Sequence, residues 1–364
     1  MPLRSRLAAA SQAAATPCAL AQTVEVYGLV DVAVEYVSRV GASRSGLKRM
    51  PSATGSLPSR IGVRGSEDLG DGWRALFILE QGFAPDMGTF TQGGRAWGRQ
   101  ALVGFDGPWG SLALGRQYTM LYWSILAADI LGTNIYGSGS LDAYVPNARA
   151  DNAIAYRGTF DGLTLGATFS LGRDAVNAGS PAGTNCAGES EDRKACREWS
   201  ALAKFDRASW GAAIAIDEIR GGLGAFGGLT SSALTDTRVS LNGYANVTGD
   251  LRLAAGMIRR DNEANVRAPR SDLWYIGALY AATPFLKIDG EAFRLDFRGS
   301  ADQATLVAAR ATYSFSKRTA MYATLGHIVN RGALAISVSA GAPGSNPLPG
   351  TAQSGVAAGL RHVF

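Results

Sequence analysis

Arginines and acids at alternate positions are where this sequence offers chemistry. Arg60 and Arg64 are interleaved with Ile61 and Val63, and Arg74 and Glu80 with Trp73, Ala75, Phe77 and Leu79. Arg238, Arg252, Lys287 and Arg310 recur on the polar side of similar alternations further on. Fixed charges of this kind act electrostatically, attracting, repelling or orienting ions and dipoles, without making or breaking bonds. Covalent chemistry has no comparable candidate. His327 and His362 are the two histidines, and neither stands in a nucleophile elbow, an HExxH pattern or a paired-carboxylate context. Glycines 221, 222 and 224 lead into no Gly-Lys-Ser and no helical pattern, so a phosphate loop is not expected. Cys186 and Cys196 lie close together without a neighbouring histidine, which argues against a metal site and predicts a disulfide formed in an oxidising compartment. No cofactor, no metal and no enzymatic activity is expected.

The elements that would position these charges have a period of two. Leu163, Leu165, Ala167, Phe169 and Leu171 alternate with Thr164, Gly166, Thr168, Ser170 and Gly172, so one face is greasy and the other small and polar. Sixteen such segments follow one another, from 24–37 at the start to 353–364 at the end. Each is about ten residues long, the length a tilted strand needs to cross a bilayer. Alternation alone fits a soluble sandwich equally well. The connectors separate the two: short turns such as Asp161-Gly162 and Asp106 to Gly110 alternate with long loops. Short turns at one rim and long loops at the other, joined by an even number of strands, describe a closed transmembrane barrel with no free edge. The predicted fold is therefore all-β, a 16-stranded antiparallel transmembrane β-barrel.

Charges facing lipid would cost about 2–4 kcal/mol each near the midplane, so the alternating arginines and lysine are predicted to line a wet lumen. A barrel this wide is not filled by its own side chains. Segment 117–148 is the candidate for narrowing it. It is too apolar for an exposed loop, beginning Tyr118-Thr-Met-Leu-Tyr-Trp-Ser-Ile-Leu126, and is expected to fold inward as the third extracellular loop. That path would set Asp129 and Asp142 opposite wall arginines. Arg116 shares its parity with Leu112 and Leu114 and reaches the lumen only if its strand ends or bulges there.

Composition agrees. With 46% hydrophobic and 18% charged residues and 46 glycines the chain is folded, and no uninterrupted apolar run suits a membrane helix. The formal charge of +5 comes from scattered residues without basic runs, which argues against nucleic acid as a partner. Residues 1–21 carry Arg4 and Arg6, a small-residue middle and Ala19-Leu20-Ala21, and read as a signal peptide preceding a barrel over 22–364.

Several motifs in order resemble the general diffusion porins of β-proteobacteria: Val24-Glu-Val-Tyr-Gly-Leu-Val-Asp31, Ser59-Arg-Ile-Gly-Val-Arg-Gly65, Leu79-Glu-Gln-Gly-Phe83, Arg99-Gln-Ala-Leu-Val-Gly104, Asp151-Asn-Ala-Ile-Ala-Tyr156 and Gly359-Leu-Arg-His-Val-Phe364. The resemblance implies a homotrimeric outer-membrane channel for small hydrophilic solutes, often anion-selective, in contact with outer-membrane lipid and lipopolysaccharide. It puts constriction arginines at Arg60, Arg99 and Arg149, with Glu80 as the facing acid, and gives Phe364 the role of an assembly signal read by the outer-membrane assembly machinery. A substrate-specific uptake channel of the same fold is the alternative; a barrel adhesin or hydrolase is a more distant one. Trp97, where the family usually has Phe, and the Cys-containing loop 173–196 depart from its pattern.

Overall fold

Sixteen long strands run antiparallel and close on themselves. The structure is a computed structural model and describes residues 23–172, 186, 188–223, 225 and 228–364. The expected signal peptide, 1–21, and most of loop 173–196 lie outside the described residues. The strands are β1 (Thr23–Val40), β2 (Arg60–Gly70), β3 (Trp73–Ala84), β4 (Gln100–Gly107), β5 (Gly110–Tyr118), β6 (Arg149–Phe160), β7 (Leu163–Ser170), β8 (Glu198–Asp206), β9 (Trp210–Arg220), β10 (Thr235–Asn246), β11 (Leu251–Asn262), β12 (Arg270–Ala281), β13 (Leu286–Phe297), β14 (Gln303–Ser314), β15 (Thr319–Arg331) and β16 (Ala352–Val363). Two short strands, Ser45–Arg49 and Thr89–Phe90, decorate loops and are not part of the sixteen. β4 begins at Gln100, so Trp97 belongs to the loop before it.

Each side chain's direction follows from the alternation. Leu163, Leu165 and Phe169 lie on the outer surface while Thr164, Thr168 and Ser170 are buried, the reverse of what a wall facing water would do. Aromatic pairs gather at the short-turn rim: Trp73 with Trp109, Trp109 with Tyr156, Phe205 with Trp210 and Tyr313 with Phe315. That is the girdle a bilayer interface favours. The turns themselves are tight; at Asp161-Gly162 both residues are left-handed (φ 47° and 85°), as a two-residue hairpin of primed type requires.

The seam is closed by β1, which pairs with β2 from Leu29↔Arg60 downward and with β16 from Leu29↔Val363 upward. The last residue completes it: Phe364 N–H donates to the Gly28 carbonyl and Gly28 N–H to the Phe364 carbonyl, both at 3.0 Å. A Cβ on Gly28 would lie 2.6 Å from the Arg60 carbonyl oxygen and 2.6 Å from the Phe364 ring. Gly28→Val is therefore expected to block ring and ladder together, trapping the chain in a form that migrates as unfolded on unheated gels. Wild-type mobility would contradict this seam.

One feature of the inner wall departs from the sequence reading. Ile258, Leu273, Tyr275, Phe293, Leu306 and Ile328 point inward and are buried, so β11 to β15 carry apolar residues on the inner face as well. They are covered from within by Ile125, Leu131, Ile135, Tyr136 and Val145 of segment 119–148. Fully burying each such side chain stabilises by about 1.5–3 kcal/mol, enough to hold the loop inside the barrel. Tyr136 fits because it meets glycine on two adjacent strands: a Cβ at Gly326 or Gly355 would come within 2.7 Å of its ring atoms.

Candidate functional site

The inward loop begins with a short helix, α1 (Met120–Ile125), and crosses the interior by hydrogen bonds to several strands. Met120 N–H donates to Ser200 Oγ on β8 (2.9 Å), Leu131 N–H to Glu291 on β13 (2.9 Å) and Asn134 to Thr324 on β15 (3.2 Å). Between this loop and the opposite wall is an open cavity of about 610 Å³, the narrow part of the lumen. On the wall side it is lined by Arg60, Glu80, Arg99, Arg310 and Arg361, and on the loop side by Tyr122, Trp123, Leu126, Asp129 and Ile130 among others.

The arginines are held in a chain of contacts. Glu80 sits between Arg60 (3.5 Å) and Arg99 (2.6 Å) and also accepts the Tyr27 hydroxyl (3.0 Å). The Tyr118 hydroxyl accepts from Arg99 (2.8 Å) and Arg149 (2.6 Å), and the Arg149 guanidinium stacks on the Tyr118 ring at 4.3 Å. Tyr118 stacks in turn on Tyr122 at 3.8 Å. Burial pushes the Tyr122 hydroxyl up to about 12, so Tyr122 presents no phenolate to the arginines at neutral pH. Arg99 and Arg149 are 5% and 2% exposed, whereas a quarter of the Arg60 side chain is open to the cavity.

The structure thus brings Arg60, Arg99, Arg149 and Glu80 together at the waist. It differs from the sequence reading on the loop acids. Asp142 does not face these arginines; it pairs with Arg238 on β10 (2.9 Å) beneath the loop and lies 3.8 Å from Arg260. Burial alone would raise the Asp142 carboxyl, but Arg238 and Arg260 outweigh it and hold it below the usual range. Asp129 borders the cavity, yet its oxygens accept Ser138 Oγ (2.6 Å) and Gly132 N–H (2.7 Å) within the loop, and burial pushes its carboxyl up. The loop's route along the far wall, set by the apolar contacts, decides these pairings. Arg238 departs from expectation together with Asp142: at 1% exposure it lies under the loop and not along a wet lumen.

Of the other basic residues, Arg310 borders the cavity while pairing with Asp289 at 2.5 Å. Arg64 with Glu25 and Arg74 with Asp106 are exposed pairs near the short-turn rim. Arg252 covers the Tyr244 ring and Lys287 is exposed at the same rim. Arg116 does reach inward, because β5 bulges between Gly115 and Gln117, and it binds Asp151 and the Gly98 carbonyl. Two residues of the waist escape the sequence reading. Arg361, 2.9 Å from Ser56 Oγ, shares the inward parity of Gln353 and Gly355 and is detectable by counting along β16. Tyr118 carries no such signal, since its role depends on where the strand yields to the loop. Cys186 and Cys196 are joined as a disulfide.

A lumen narrowed by an inward loop and edged with arginine belongs to a channel, and the chain matches the Gram-negative porin family over residues 7–333. It is a Gram-negative porin. The porin is 26% identical to outer membrane porin protein 32 of Delftia acidovorans over the whole of both chains. It is 33% identical to an outer membrane porin protein of Bordetella pertussis over 48% of this chain and 51% of that one. Among solved structures, the anion-selective porin from Comamonas acidovorans superposes with a TM-score of 0.76 at 21% identity, covering 94% of this porin and all of the other. The porin is a passive diffusion channel of the bacterial outer membrane.

Proposed function

We propose that the porin prefers anions, working as a homotrimer that passes small hydrophilic anionic solutes. The observation that carries this is the waist: four arginines line it against Glu80 and Asp129, and Glu80 is engaged by two of them. At such short range fixed charges are little screened by salt, so the local excess outweighs a nearly neutral chain. The anion-selective Comamonas relative supports the same reading. Transport of this kind needs neither cofactor nor catalysis. Residues 1–21 serve as the export signal, Phe364 as the feature read by the assembly machinery, and outer-membrane lipid and lipopolysaccharide surround the barrel. The reversal potential of single channels in planar bilayers under a potassium chloride gradient tests the proposal. It should take the sign of anion permeation; the cation sign would overturn it.

A further inference from the structure

Outward-facing arginines form a band on the lipid side of β11 to β15, where nothing in the channel's function requires them. Register places Arg259, Asp272, Asp296, Gln303 and Arg331 in one cross-strand row. All share the outward parity of Leu253, Ile276, Val307 and Leu325, which are exposed on the wall. One step towards the long-loop rim the same face carries Asp261 and Arg270, followed by Arg298. One step the other way it carries Met257, Trp274, Arg294, Thr305 and Val329, and below that the face is apolar apart from His327, which bonds Ser354 Oγ (2.8 Å). At about 4.8 Å per strand, the row from Arg259 to Arg331 spans roughly 19 Å.

Five arginines on this face outnumber the three aspartates. Asp272 is shared by Arg259 (3.0 Å) and Arg298 (2.6 Å); Asp261 holds Arg270 (3.0 Å) and Asp296 holds Arg294 (2.7 Å). Each of these four guanidinium groups keeps about half its side-chain surface open, and its bond to the aspartate uses only one edge of the fork. Arg331 is exposed and has no ion-pair partner among the described residues. Charge facing hydrocarbon is tolerated only near the interface, where its cost falls to about 0–1 kcal/mol. The band must therefore sit at headgroup level on the long-loop, extracellular side, with Trp274 just beneath it as an interfacial aromatic.

We propose that this band is a binding site for the phosphate-bearing headgroup of an outer-leaflet lipid, whose acyl chains lie on the apolar wall below. Arginine forks matched to phosphate oxygens supply the recognition, and the aspartates fix their orientation without cancelling the positive excess. The inference rests on the membrane orientation of the barrel and is independent of ion selectivity.

Trp274 is the reporter. The whole porin is reconstituted in phosphatidylcholine vesicles in which part of the lipid is brominated phosphatidic acid or brominated phosphatidylcholine, and the quenching lost on Trp274→Phe is taken as the local signal. Phosphatidic acid is expected to occupy the site several-fold more strongly than phosphatidylcholine. That ratio should fall towards one in Arg259→Gln/Arg298→Gln/Arg331→Gln, and about two- to threefold in Arg331→Gln alone, where no ion pair among the described residues is broken. Channel conductance checks that each variant is folded. Equal quenching by the two lipids, an unchanged ratio in Arg331→Gln, or displacement by millimolar inorganic phosphate would each overturn the lipid site.

Discussion

Replacing both Arg60 and Arg361 by glutamine should remove most of the anion preference of this porin. These guanidinium groups reach the waist cavity with the fewest constraints: Arg60 is 3.5 Å from Glu80 and partly open, and Arg361 donates to the Ser56 hydroxyl without an ion pair among the described residues. A unit charge about 6 Å from a passing ion contributes about 0.7 kcal/mol even at the dielectric constant of water. A cation is shifted by the same amount in the opposite direction, so each arginine changes the anion-to-cation permeability ratio by roughly tenfold before screening. Arg149→Gln should do much less to selectivity, because Arg149 is buried against Tyr118 and its charge is set back from the lumen. Glu80→Gln should act in the opposite direction, freeing the charges of Arg60 and Arg99. Reversal potentials of the wild-type channel and these three variants in the same salt gradient rank them. If the double variant keeps the wild-type potential, selectivity does not arise at this waist, although the chain remains a porin.

The second large effect is expected at Arg238→Met, far from the arginine wall. Arg238 ties Asp142 of the loop to Asp236 of β10 at 2.9 and 3.1 Å and lies 4.7 Å from the Tyr144 ring. Removing one member of a buried ion network costs about 3–5 kcal/mol, because the remaining carboxylates stay buried. Arg260 would be left to serve both, and it approaches Asp142 only to 3.8 Å. The second half of the loop should detach from the wall while the strand ladder persists. Single-channel records would then show larger, noisier currents, and the thermal transition of the loop would fall. Acid should mimic the substitution. The Asp142 carboxyl is held below its ordinary value, so its stabilisation is complete above about pH 3.9 and is lost as the pH falls through the depressed value. Wild-type conductance from Arg238→Met, with no added noise at neutral or at acid pH, would show that the apolar contacts alone hold the loop.

Alternation is a local property, and it carried most of the architecture. Side chains two apart on a strand must share a face, so periodicity and connector lengths suffice for sixteen strands, their antiparallel closure, the outward greasy wall and the inward direction of Arg60, Glu80 and Arg310. The same rule applied to 353–364 finds Arg361, and applied to 257–331 it marks the outward arginine band. Partner choice is not local. Whether Asp142 meets Arg60 or Arg238 depends on the route of a loop of about thirty residues through the lumen, and that route follows the apolar inner face of β11 to β15. On those strands apolar side chains also point inward, so the period of two weakens where the loop docks. The tertiary structure alone decided which inward charges meet water and which lie buried beneath the loop, because burial depends on what lands on a face and periodicity reports only which way the face points.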